Sequence, residues 1–496
     1  RERDVANTLA AAGLAIVMIY PPALFSVSFQ LSFTAVAAIL FGLSATRPVI
    51  FRSAGRLGAP AHLISFTLVS FFAITGTTPL TMHYFNQAAF LGIVTNLLVI
   101  PVIGFLVVPL ALFSVLVLLP LHPLPAQLGL TAASRVIELI LPFIYSIGGL
   151  SWSAVKTVTP SITELCCIYT LLAGLLFLLK CKTSPDENTA SWRKPVIFAV
   201  VLACSVLVAD VGFWWHNRYC NTQMRATILD VGQGSAALLE LPEGYRMLID
   251  GGGFSSNAIF DMGKNVVAPF LRHRKISSLD AVVLSHPDAD HLNGLLYIIQ
   301  NFSVDRMLST HQPSDSESYR EFTRLIASEE IPHPAFSELP RHLSINGADI
   351  YILHPAPCCP CIRTGRNKNN CSLVLKACLG ERSILFAGDI MAAAEAKLAQ
   401  RQKTEPGPSV LIAPHHGSST SSTPEFLDWV RPRAAVFSAG PQNRFHLPAD
   451  EVLERYRDRG CPTLLTSSDG AVQIETNGKG MKLDPVCGKA MEIGMH

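Results

Sequence analysis

The first part of the chain has very little charge. Up to about Phe213 long apolar runs follow one another, whereas after Thr222 the charge density becomes that of a globular enzyme. Over 496 residues, 49% are hydrophobic and 15% charged, which excludes an ordinary soluble chain and gives length enough for more than one domain. The 12 cysteines form no CxxC…CxxC pair, which removes a zinc ribbon. Repeats and low-complexity tracts are not evident, and no cleavable leader is visible in the sequence. There is no initiator Met, and RERD at the start runs straight into an apolar helix, so the chain is expected to be a piece of something longer that is targeted by its own membrane segments. A net charge of +2 neither requires nor excludes nucleic acid. Three parts are expected: a membrane domain over 1–215, a soluble domain over 222–478, and a disordered tail over 479–496.

A membrane helix needs roughly 20 mainly apolar residues. Such segments lie near 5–20, 24–45, 61–78, 84–119 (one or two pieces broken at Pro101), 127–150, 163–180 and 195–213. The stretch from Phe90 to Leu110 holds Asn96, Pro101, Gly104 and Pro109, a composition tolerated where a water-lined cavity or neighbouring helices satisfy the freed backbone. It reads equally as a pore element or a kinked packing helix. Ser26, Ser28, Gln30, Ser32 and Thr34 either bond to adjacent helices or line a polar path. Arg1 and Arg3, then Arg47, Arg52 and Arg56, then Lys180, Lys182, Arg193 and Lys194 form three basic clusters, which belong in the cytoplasm. From the last cluster one helix crosses outward, so the soluble domain is expected on the extracytoplasmic side.

From Met224 onward short strands alternate with helices. ATILDVG, AALLEL, YRMLID, AVVLS, DRMLS, IYILH, SLVLKA, SILFAG, SVLIAP, AAVFSAG, TLLTS and AVQIE read as strands, with helices near 259–271, 293–301, 316–328, 391–402, 424–430 and 449–458. That order predicts an α/β sandwich with mixed sheets. Its centre is AVVLSHPDADHLNG, residues 281–294, a buried strand running into a loop with His286, Asp288, Asp290 and His291. Imidazole and carboxylate are the ligands of first-row divalent metals. Asp250, Asp389, His415 and His416 also follow strand ends, and His446 comes a loop later, so these groups can meet at one sheet edge.

These motifs carry a resemblance. The soluble half resembles the metallo-β-lactamase fold, an αββα sandwich. LDVGQG, LIDGGG, SHPDADHLNG, NNCSLVL, FAGD, PHHGSS and NRFHLP, together with PPALFSVSFQLSFTAV and NQAAFLGIVTNLLVIPV in the first half, are similar to the ComEC family of bacterial competence DNA-uptake channels. The resemblance implies two divalent metal ions, manganese, magnesium or zinc. His286, Asp288 and His415 would hold one, Asp290, His291 and His446 the other, with Asp389 bridging and Asp250 orienting a ligand from behind. Asp290, Asp389, His416 and Asn370 would serve the reaction, and Asn370 and Ser372 would approach from a facing loop. It also implies a multi-pass protein of the bacterial inner membrane, passing a single DNA strand while its external domain hydrolyses phosphodiester bonds of the other. Membrane lipid, other competence proteins and a second copy of the chain are the expected partners. Two alternatives stand beside it: a transporter whose soluble domain is not catalytic, and a membrane-anchored phosphodiesterase acting on something other than DNA.

The chain departs from the family pattern at Ser235, where Asp is usual; at Ile412 and Ala413, where Lys is frequent; and before His446, where Gly is usual. Arg272, Arg274 and Lys275 are candidate DNA contacts, as are Arg363, Arg366 and Lys368, with a solvated face as the plainer reading. Cys358, Cys359, Cys361 and Cys371 read as a disulfide-tied loop or, alternatively, as a second metal or redox site. Aromatic platforms for stacking bases are not evident in the soluble half.

Overall fold

A computed structural model describes residues 5–57, 61–150, 152–183, 187–257, 259–356, 367–401 and 409–494. The chain forms two compact units, Arg1–Val211 and Gly212–His496. Arg1, Arg3, Cys358, Cys359, Cys361, Arg363 and Arg366 lie outside the described residues, as do the side chains of Arg47, Arg52 and Arg56.

Among the described residues, 6 helical segments are long and apolar enough to cross a membrane: Val27–Thr46, Ile64–Phe85, Gly92–Leu121, Pro123–Gly148, Ile162–Thr183 and Ala190–Tyr219. A shorter apolar helix, Val5–Ile19, precedes them. The chain is therefore a multi-pass membrane protein. Pro101 does not break its helix. Gly92–Leu121 continues through it with widened π turns at Ile103–Val107 and Ser114–Leu118, a local adjustment that absorbs the hydrogen bonds a proline removes. Most hydroxyls within this unit bond back to carbonyls of their own helix, as Thr46, Thr77, Ser114 and Ser146 do, while a few polar residues join separate segments. Gln30 donates to the Leu24 carbonyl at 2.9 Å and accepts from the Tyr84 hydroxyl at 2.8 Å, and Tyr169 donates to the Gly76 carbonyl at 2.9 Å. Thr34 instead lines a cavity of about 690 Å³, otherwise mainly apolar, with Tyr169 and Lys180.

In the second unit all twelve expected strands form, and two sheets stack face to face. The first runs Met491–Ile493, Met481–Pro485, Val472–Thr476, Met224–Ile228, Ala237–Glu240, Arg246–Ile249, Ala281–Leu284 and Met307–Ser309 in spatial order. The second runs His342–Ile345, Ala348–His354, Val374–Leu379, Arg382–Phe386, Val410–Ile412, Ala434–Phe437 and Thr463–Leu465. Alternation along each strand divides the side chains between two cores. Leu239, Val283, Ile350 and Phe386 fill the space between the sheets. Leu238, Leu248 and Val282 face outward against Leu292, Leu295 and Phe322 of one helical layer, while Leu385, Leu411 and Phe437 meet Phe426, Leu427 and Tyr456 of the other. The result is an αββα sandwich of the metallo-β-lactamase type.

Each sheet is antiparallel on one side and parallel on the other. Arg246–Ile249, Ala281–Leu284 and Met307–Ser309 are parallel, as are Arg382–Phe386, Val410–Ile412, Ala434–Phe437 and Thr463–Leu465. Parallel neighbours bring their C-terminal ends to one edge, and the polar residues that follow those ends are gathered there.

The expected disordered tail is corrected by the structure. Met481–Pro485 pairs with Val472–Thr476, and Met491–Ile493 pairs in turn with it. Met481, Leu483 and Pro485 are buried while Lys482 is exposed, so a two-residue period places this stretch on the sheet. That period was hidden by the charged and small residues around it. Leu483 is fully buried, so Leu483→Ala is expected to lower the stability of this unit by about 2–5 kcal/mol. Thermal unfolding of the purified chain checks this; an unchanged midpoint would mean that the tail does not pack.

Candidate metal centre

The metal loop starts where Ala281–Leu284 ends and passes into the helix Ala289–Asn301, with Asp288 at its N-cap position. Asp290 and His291 thus sit in the first helical turn, where backbone N–H groups favour negative charge. Close backbone contacts fix that turn. Gly251 donates its N–H to the His291 carbonyl and Gly294 donates to the Gly252 carbonyl, both at 2.8 Å. A Cβ on Gly294 would collide with the Gly251 carbonyl oxygen, so only glycine lets helix and loop approach this far. Ser235 donates its N–H to the Asp290 carbonyl at 3.1 Å. The LDVGQGS loop therefore clasps the metal turn through its backbone, a task that does not need the Asp usual at Ser235.

Four groups come closest together: Asp290, His291, Asp389 and His416 each offer a ligand atom, all within 4.8 Å of one another. Asp389 stands at the centre. Its Oδ1 is 3.2 Å from His291 Nε2, and its Oδ2 is 3.4 Å from His416 Nε2, 3.8 Å from His415 Nε2 and 3.9 Å from His286 Nε2. Asp290 Oδ2 lies 3.4 Å from His416 Nε2, and Asp288 Oδ2 lies 3.6 Å from His286 Nε2. Two nests share Asp389, a tight one with Asp290, His291 and His416, and a looser one with His286, Asp288 and His415.

Partners on the far side of each ring aim it inward. His291 Nδ1 meets Asp250 Oδ2 at 2.7 Å, and the same carboxylate accepts from the Ser285 N–H and hydroxyl at 2.8 and 2.7 Å. His416 Nδ1 donates to the Ser438 carbonyl at 2.8 Å. Both Nε2 atoms are therefore left facing Asp389, and both are buried without a hydrogen-bond partner. Orphaned buried nitrogens opposite carboxylates are what a divalent cation satisfies, so these residues fit a metal. Asp250, His415 and His416 all take left-handed backbone angles, φ 58°, 50° and 56°. Such conformations are uncommon outside glycine and persist where the surroundings impose them.

Protonation divides the imidazoles into two kinds. Burial works against charge on His291 and His416, but Asp389 with Asp250 outweighs it at His291, and Asp389 with Asp290 at His416. The His291 pKa lies well above its ordinary value and that of His416 is pushed up to about 10. Burial and neighbouring imidazoles instead hold His286 and His415 below theirs. Burial opposes charge on Asp389 as well, yet His416 and His291 keep its carboxyl well below the usual range.

The remaining candidates are placed as follows. His416 enters the tight nest, while His415 stands at the margin, sharing Nε2 with Asn369 and Nδ1 with Thr420 at 3.2 Å each. His446 is not brought to the cluster. Asn443 closes its loop through the Gly440 and Leu447 carbonyls at 2.9 and 2.6 Å, and His446 stays exposed at the bend with Phe445 where glycine is usual. Asn370 Oδ1 accepts from Met391 N at 3.0 Å and Ala394 N at 3.3 Å, so this side chain holds the segment after Asp389. Ser372 Oγ accepts from Asp389 N at 3.2 Å. Ile412 and Ala413 are buried in place of the frequent Lys. Arg272 is buried over the Tyr297 and Phe302 rings, and Arg274 bonds Glu240 at 2.6 Å, so neither guanidinium is left to a DNA phosphate; Lys275 also has a partner within the fold. Cys371 is disulfide-bonded. Asn369, Ser285 and the Ser438 carbonyl were not singled out from sequence. Adjacency to Asn370 and His286 was the only signal for the first two, and a backbone carbonyl leaves none.

Fold and site together define a membrane protein with a metallo-β-lactamase-type domain whose clustered carboxylates and imidazoles fit a metal. Comparison with known proteins agrees: residues 1–182 match the family "Competence protein" and residues 229–327 the "Metallo-beta-lactamase superfamily". The first part of the chain therefore resembles competence proteins, and the soluble part resembles the metallo-β-lactamase superfamily. It is similar to ComE operon protein 3 of Bacillus subtilis, with 26% identity over 94% of this chain and 58% of that protein. Recombination protein 2 of Haemophilus influenzae shows 26% identity over 90% and 55%, and competence protein ComA of Neisseria gonorrhoeae 28% over 52% and 33%. The chain thus spans little more than half the length of the first two relatives.

Metals bind only deprotonated imidazole, so loading this site must displace the protons that His291 and His416 hold at neutral pH. Because both pKa values are raised, metal affinity is expected to climb as pH rises from 7 toward about 10. Calorimetric zinc titration in buffers of different ionisation enthalpy measures the release. Asp250→Asn, which leaves the ring of His291 unsteadied, should weaken binding by about 10–100-fold; a pH-independent affinity would contradict the proton count.

Proposed function

We propose that this chain is an inner-membrane component of bacterial DNA uptake whose soluble domain, on the extracytoplasmic side, hydrolyses phosphodiester bonds at a two-metal centre. The observation that carries the reading is Asp389, one buried carboxylate facing four imidazoles delivered by two separate segments, the metal loop and the His415–His416 turn. Two divalent ions bound there would supply charge to clamp a phosphodiester and a hydroxide available at neutral pH. The protein's own part is positional. His291 and His416 are held from behind by Asp250 and Ser438, Asp389 reaches both nests, and Asp290 and Asp288 add one carboxylate to each. Carboxylates beside imidazoles make the site hard enough for manganese or magnesium as well as zinc.

The membrane half supports the DNA assignment. Its match to the competence family, and relatives named for competence and recombination, make a DNA strand the substrate to test first, with cleavage falling on the strand that is not carried inward. Lipid, a second copy and other competence proteins would be its partners in the membrane. Full-length protein in detergent micelles with manganese, magnesium or zinc is expected to cut single- or double-stranded DNA. Asp389→Asn should lower the rate on the order of 10²–10³-fold while circular dichroism stays unchanged. Metal-loaded protein that leaves DNA intact in every condition would sink the nuclease and favour a transporter with a non-catalytic domain.

A further inference from the structure

Beside the metal loop lies a cavity of about 620 Å³ that none of the site residues fills. Its walls come from the 255–257 loop, from Pro287–Ala289 of the metal loop, from the helix Glu317–Ser328, and from Lys368. The volume falls within the roughly 300–1,000 Å³ of small-ligand sites. Its chemistry is mixed. Ser255, Ser256, Ser316 and Ser318 offer hydroxyls, and Pro287, Ala289 and Leu296 give an apolar stretch of wall.

The cations on the walls differ in how far they are engaged. Arg324 is held in a fork by Glu321, at 2.8 and 2.6 Å, which spends both charges. Arg320 is exposed and makes no ion pair among the described residues. Lys368 stands where cavity and metal loop meet, its ammonium 3.6 Å from Asp288 Oδ1 and donating to Ser314 Oγ at 3.0 Å. Asp288 is itself 3.6 Å from His286 Nε2. A chain of contacts therefore runs from the metal nest through Asp288 to Lys368 and into the cavity.

We infer that this cavity binds the stretch of a polynucleotide strand next to the bond being cut, with Lys368 and Arg320 taking its phosphates and the Pro287–Ala289–Leu296 wall taking a base face. The inference rests on the proposed phosphodiesterase and adds the place and the residues that would hold the strand beside the metal nests. A small diester occupies the metal nests alone, whereas a strand also fills the cavity. Metal binding reinforces this, because a cation drawing on Asp288 frees Lys368 for phosphate. The arrangement gives affinity without sequence preference, since phosphate contacts carry no base information.

Binding is read separately from cutting. Full-length protein in micelles is titrated against a fluorescent single-stranded oligonucleotide in EDTA, following anisotropy at several salt concentrations, while hydrolysis of bis(p-nitrophenyl) phosphate with manganese is measured in parallel. Lys368→Glu and Arg320→Glu are each expected to weaken strand binding about tenfold and to lower the slope of log K against log salt by about 1 per variant. Lys368→Arg should bind as wild type, and the small diester should be hydrolysed alike by Arg320→Glu and wild type. Both Glu variants binding within twofold of wild type would overturn the inference, as would a wild type that hydrolyses the diester but binds no strand. Failure of the diester reaction alone, with strand binding and its salt slope behaving as expected, would overturn the phosphodiesterase and not the cavity.

Discussion

The soluble domain is organised around one buried anion. Asp389 is 4% exposed and faces four imidazoles, so its charge is tolerable only because compensating groups are delivered to the same point. In the metal-free protein the compensation comes from protons on His291 and His416. A divalent metal would replace those protons. The loops that hold it follow the same requirement. Ser372 steadies the backbone of Asp389, Asn370 steadies the segment beyond, and Asp250 and Ser438 set the tautomers of the two central rings.

The two nests differ in a way that bears on chemistry. His291 and His416 are buried, carry raised pKa values and are held from behind through Nδ1, whereas His286 is buried with a lowered pKa and His415 is partly open to solvent. Asp288 belongs to the looser side and touches Lys368. The more accessible nest is therefore also the one that adjoins the cavity.

The membrane unit shows a comparable economy. Its hydroxyls mostly bond within their own helices, while Gln30 to Tyr84 and Tyr169 to Gly76 join helices and Asn86 to Thr159 joins two connecting segments. Interhelical hydrogen bonds replace the hydrophobic effect as a source of specificity where the surroundings are lipid. The π turns after Pro101 keep the Gly92–Leu121 helix continuous while widening it, so the irregular backbone expected there takes the form of local expansion and not of a gap.

Much of this protein was legible in its sequence. Period-two and period-3.6 patterns are local, so twelve of the fifteen strands in the two sheets, six helices of the soluble domain, the apolar spans and the sandwich could be read directly. Clustering of His286, Asp288, Asp290 and His291 at a strand end, with Asp389 and the His415–His416 pair at others, was enough to announce a metal site, because ligand type and strand order are written in the chain. The tertiary structure alone decided which histidine of the pair turns inward, since left-handed angles at both positions send adjacent side chains different ways. It also decided that His446 stands exposed on the loop that Asn443 closes, that Asn370 serves the backbone while Asn369 reaches His415, that Arg272 points into the core, and that the tail completes a sheet. Each of these depends on a loop's path or on a partner distant in sequence, and no spacing rule encodes either.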